Sequence, residues 1–99
     1  MMNLKEFLEQ TGLPVVYHHW KKPPKLPYLV YVYTDSDNFG ADDMVYAPGD
    51  NYDVELYSDE KDPATEKIVE NLFDEYDIYY EKSEVWIESE KMFEVIYEI

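Results

Sequence analysis

The chain has 99 residues, close to half of them apolar and 17% aromatic, and carries a formal net charge of −15. A chain of this size is expected to form one domain over residues 1–99, burying roughly 60–65% of the surface that its unfolded form exposes. It has no cysteine, which excludes disulfide scaffolds, cysteine nucleophiles and thiolate zinc sites.

No run approaches the ~18 apolar residues of a membrane span. The segment "MMNLKEFLEQTG" lacks the basic, apolar and small-residue zones of a signal peptide, so cytoplasmic synthesis is expected. Twenty-three acidic residues face eight lysines and no arginine. Phosphate backbones and anionic membranes repel such a chain, which argues against direct nucleic-acid binding and membrane association. The missing arginine also argues against phosphate-handling enzymes. Two readings of the acidity stay open: a soluble surface to which DNA does not adhere, or a surface that imitates DNA.

Asn3 and Glu6 have the spacing of a capping box, and Leu4, Phe7 and Leu8 share one helical face. Gly12 and Pro14 end this first helix, which is predicted over residues 3–11. "VVYHH" reads as a first strand. "YLVYVYT" reads as a second, with Leu29, Tyr31 and Tyr33 on one face and Tyr28, Val30 and Val32 on the other. Both faces are apolar or aromatic, as in a central strand covered on both sides.

After the polar stretch "DSDNFGADD", β character resumes in "MVYAPGDNYDVELYS", with a possible extra hairpin partner at residues 43–47. Tyr52, Val54 and Leu56 alternate with Asp53, Glu55 and Tyr57, which predicts one buried and one wet face. Asp62 and Pro63 open a second helix as cap and first helical residue. Ala64, Ile68, Leu72 and Tyr76, joined by Val69 and Phe73, form its predicted apolar stripe. The tail reads as two strands about a turn near Ser89-Glu90, with Phe93, Val95, Tyr97 and Ile99 on one face. The expected fold is α+β: an antiparallel β-sheet packed by two helices, in the order α-β-β-β-α-β-β.

His18 and His19 are the only histidines. Adjacent residues on a strand point to opposite faces, so the pair is read as structural rather than as a metal site. Asp35, Asp37, Gly40 and Asp43 fall at calcium-loop positions one, three, six and nine. Phe39 and Tyr46 stand where an oxygen ligand and the closing glutamate belong, which rejects an EF-hand. Asp35, Asp37, Asp42 and Asp43 could still attract a hard cation weakly. The three glycines are scattered and the four serines lack a nucleophile elbow. No catalytic residue, cofactor or metal site is predicted, and the protein is not expected to be an enzyme.

"HHWKKPPKLP" places Lys21, Lys22 and Lys25 beside prolines 23, 24 and 27, giving a stiff, non-pairing segment. Residues 35–62 hold ten Asp or Glu and one lysine. The basic loop is therefore read as a contact to an acidic surface, one candidate being another copy of the chain, with Lys21, Lys22, Lys25, Asp35, Asp37, Asp42 and Asp43 as interface residues. A loop that is merely solvated is the competing reading.

Three stretches, "GLPVVYHHWKKPPKLPYLVYVY", "YDVELYSDEKDPATEKIVENLF" and "YEKSEVWIESEKMFEVIYEI", resemble the tail-terminator and head-to-tail joining proteins of long-tailed phages and prophages of Gram-positive bacteria. The resemblance spans nearly the whole chain, and its motifs are structural. It implies a ring, usually of six subunits, on the head-proximal end of the tail tube. The implied partners are further copies of itself, the tail-tube protein and the head connector. The implied location is the host cytoplasm during assembly and then the virion tail. A ring that passes DNA needs walls to which phosphates do not adhere, which the acidity supplies. Eleven tyrosines offer interface anchors. The alternative is an acidic DNA mimic that inhibits a host DNA-binding protein.

Overall fold

The computed structural model describes residues 3–36 and 50–99. Helix α1 spans Leu4–Glu9. The Asn3 side chain accepts from the Glu6 N–H at 2.8 Å, and the Glu6 carboxylate accepts from the Asn3 N–H at 3.2 Å. This reciprocal box satisfies donors that the first helical turn cannot use itself. Gly12, at φ 84°, turns the chain out of the helix where a side chain would be strained.

Strands β1 (Val15–Tyr17), β2 (Tyr28–Ser36) and β3 (Asp50–Ser58) follow, then helix α2 (Pro63–Glu75) and strands β4 (Glu81–Ile87) and β5 (Met92–Glu98). The class is α+β and the element order is the expected one. The sheet order is β1-β2-β3-β5-β4. Three of its pairings are antiparallel, but β1 runs parallel to β2, so the sheet is mixed where an antiparallel one was expected. Parallel neighbours need a connection that carries the chain back to its starting end. The proline-bearing residues 18–27 can do this because β1 is only three residues long. The extra partner expected at residues 43–47 lies outside the described residues.

One face of the sheet meets both helices. Leu29, Val54, Leu56, Val95 and Tyr97 stand there, packed with Phe7, Leu8, Val69 and Phe73, and all nine are almost fully buried. Phe73 stacks on Phe7 with ring centres 6.2 Å apart and meets Tyr97 edge-on at 5.6 Å. Such aromatic pairs contribute about 0.5–1.5 kcal/mol each beyond their buried area.

The α2 stripe is rotated from the predicted one. Ala64 and Ile68 are exposed, while Glu66, Val69, Leu72 and Phe73 are buried. Ile68 lies roughly 100° around the helix from Val69, the centre of the buried arc. Glu66 takes a place in that arc because cations meet it there: Lys61 at 2.9 Å and Lys82, from β4, at 2.8 Å.

Candidate subunit interface

The basic loop leaves β1 abruptly. Strand geometry ends at Tyr17, and His18 adopts φ 70°. The two histidines therefore do not point to opposite faces as an extended strand would place them. Their Nδ1 atoms lie 3.1 Å apart. Trp20 packs edge-on against Tyr28, with ring centres 5.6 Å apart, covering one end of the sheet face that no helix covers. This explains why Tyr28 and Val30, which point away from the helices, are still buried.

Lys21, Lys22 and Lys25 are all exposed. Lys5, Lys61, Lys82 and Lys91 each have a carboxylate partner. Among the described residues, no ion pair engages the three loop lysines. The loop thus presents three ammonium groups directly to solvent.

Asp35 stands near the other end of β2, exposed, accepting from the Asn51 side-chain amide at 2.8 Å. From Tyr28 to Asp35 the strand advances about 23 Å, at ~3.3 Å per residue. The predicted basic and acidic patches are therefore separated within one chain. Asp37, Asp42 and Asp43 lie outside the described residues.

Sequence reasoning missed the acidic residues that the sheet gathers around Asp35. Asp53 pairs with Glu98, which in turn pairs with Glu81, so three carboxylates lie in a row across β3, β5 and β4. With Asp35, Tyr52 and Tyr79 they line a cavity of about 560 Å³. Burial, and then the neighbouring Asp35 charge, raise the Asp53 carboxyl above its ordinary value. The wet face of β3 was legible in the alternation of residues 52–57, but not its pairing with β5.

Further along the same face, the Tyr57 hydroxyl donates toward Glu55 at 2.8 Å and toward Glu94 at 3.0 Å. One O–H proton cannot fully satisfy two carboxylates. Burial raises both carboxyls above the ordinary glutamate value, and their neighbouring negative charges add to it. Burial and the same two glutamates push the Tyr57 hydroxyl well above its ordinary range. The uncovered face is thus rich in groups that favour an incoming cation.

Among the described residues, no three His, Asp or Glu converge as a metal-binding group, and no helix is long and apolar enough to cross a membrane. No family model matches the chain, and no curated protein matches it.

Proposed function

We propose that this protein is a structural subunit of a phage tail. Copies form a ring that ends the tail tube at its head-proximal end and offers a surface to the head connector. The observation that carries the reading is the segregation of charge along the sheet. Three lysines without an ion pair among the described residues stand at one end of β2, and a carboxylate-lined cavity stands at the other. Complementary patches at opposite ends of a subunit suit head-to-tail contacts, which close into rings when the rotation permits. The resemblance to tail-terminator and joining proteins supports the same role.

Charge also sets when the ring forms. Copies at −15 repel one another in solution. The isolated protein is expected to be mostly monomeric at low salt, with assembly promoted by screening or by a tube end that concentrates the subunits. The triple change Lys21→Glu, Lys22→Glu, Lys25→Glu should leave the circular dichroism spectrum intact and impair ring closure. Negative-stain microscopy of tubes grown with and without the protein is the direct test. Shorter tubes with density at one end are expected. Unchanged tube length with bare ends overturns the assignment. Recovery from host lysate of a DNA-binding enzyme in a salt-sensitive complex, without tube protein, would favour DNA mimicry instead.

A further inference from the structure

We propose that the outer edge of β4 receives β1 of a second copy, so that one sheet continues from subunit to subunit. The inference rests on the ring reading and names a lateral contact between its subunits, distinct from the meeting of the lysine and carboxylate ends.

Among the described residues, strand β4 is the long free edge of the sheet. It pairs with β5 along all seven of its residues without a register shift, so no bulge interrupts it. Its sequence "EKSEVWI" contains no proline or glycine. Edge strands are usually blunted by such features or by outward lysines. The only lysine of β4, Lys82, is instead drawn back to Glu66 at 2.8 Å and Glu70 at 2.7 Å. Along the outer side of β4, then, backbone groups are left for a strand to pair with, beside two large exposed apolar side chains, Val85 at 45% and Trp86 at 43%.

The other edge is β1, and it fits by direction. β1 runs with β2, β2 against β3, β3 against β5, and β5 against β4. β4 therefore runs opposite to β1. A second copy in the same orientation lays its β1 antiparallel to β4, the more favourable ladder.

The faces match as well. Val15 and Tyr17 align with Leu29 and Tyr31 on the helix side, and Val16 aligns with Val30 on the open side. On β4, Lys82 aligns with Tyr97 and Glu84 with Val95, which places Lys82, Glu84 and Trp86 on the helix side and Ser83 and Val85 on the open side. A continued sheet thus puts Tyr17, itself 47% exposed, on the same face as Trp86, and Val16 on the same face as Ser83 and Val85.

Charge selects the occupant. β1 leads directly into Lys21, Lys22 and Lys25, while β4 and its turn carry Glu81, Glu84, Glu88 and Glu90. Glu84 and Glu88 already pair with Lys61 and Lys91, and among the described residues Glu81 and Glu90 have no ion pair. A second copy brings its own cations to this acidic edge. The two patches differ, so each contact leaves one edge free for the next copy.

The absence of cysteine makes the test clean. Single variants Val16→Cys, Ser83→Cys and Val85→Cys, with Lys67→Cys on α2 as control, are mixed pairwise at high salt under mild oxidation, each first checked for a native circular dichroism spectrum. A disulfide needs facing residues, with Cβ atoms about 3.5–4.5 Å apart. The mixed dimer of residue 16 with 83 or 85 should exceed that of 16 with 67 about tenfold, which requires a preference of only ~1.4 kcal/mol. Equal yields in all pairs overturn the edge contact, and so does linkage of residue 83 or 85 to tube protein in place of residue 16. The two proposals fail separately. Absent cross-links with normal capping of tubes by the unmodified protein reject only the edge, whereas cross-links with bare tube ends reject only the tail assignment.

Discussion

Glu66 and Glu55 are withdrawn from water on opposite sides of one sheet, and the protein treats them in opposite ways. Burial alone would raise the Glu66 carboxyl. Lys82 and Lys61 outweigh it, and the group is held below its ordinary value. The ion pairs tie α2 to β4, and Tyr97 adds a hydrogen bond to Glu70 at 2.8 Å. On the open side Glu55 and its neighbour Glu94 receive, among the described residues, the Tyr57 hydroxyl alone, and burial raises both. The comparison separates a side completed within the chain from one that still favours a cation. An unpaired, partly buried carboxylate is a cost to the isolated fold, and such a cost is expected where a partner supplies the missing charge.

The strongest way to break the comparison is to put an unpaired charge on the completed side. Leu72→Asp places a carboxylate beside Phe73 in the core and should destabilise the fold by about 4 kcal/mol or more. Far-UV circular dichroism should report an unfolded chain at room temperature. A soluble, cooperatively melting variant would show that the buried face of α2 is misassigned.

Removing the cation that completes the inner side should have a smaller effect. Lys82→Met leaves Glu66 and Glu70 without their shared partner. Breaking a fully buried pair costs roughly 3–5 kcal/mol. The Lys82 side chain is 35% exposed, so solvent screening lowers the expected loss to about 2 kcal/mol. Urea denaturation measures it, and Glu66→Gln in the same chain should recover part of the loss. No recovery would mean that Lys82 contributes by packing alone.

The smallest expected change is a gain, on the open side. Glu55 and Glu94 hold protons more readily folded than unfolded. Their contribution to stability is fully present below the ordinary value of 4.5 and is lost as pH rises through the raised folded values. Glu66 does the reverse: its contribution is present above 4.5 and is lost as pH falls through its depressed folded value. The double variant Glu55→Gln, Glu94→Gln should therefore be more stable than the parent near pH 7. It should also lose the Glu55 and Glu94 share of the decline that the parent shows from just above 4.5 toward neutrality, leaving the share of Asp53, which is raised as well. Denaturation midpoints across that range decide it, and parallel curves for the two proteins would remove the proposed strain from the open side.

The sequence by itself determined the local features. Asn3 with Glu6, Gly12, and Asp62 with Pro63 act within a few residues of themselves, and each holds its predicted place. The phase of β3 was equally legible, because alternating polarity in residues 52–57 reflects the burial of each side chain in turn. Only the tertiary structure decided what depends on distant partners. Glu66 rather than Ile68 faces the sheet because Lys82, on another strand, neutralises it there. No periodicity in α2 can announce a cation from β4. The parallel course of β1 follows from how residues 18–27 cross back. The row of Asp53, Glu98 and Glu81 exists because β5 lies between β3 and β4. Hydrophobic patterning reports how each residue meets water, whereas strand order and ion pairing are set by elements far apart in the chain.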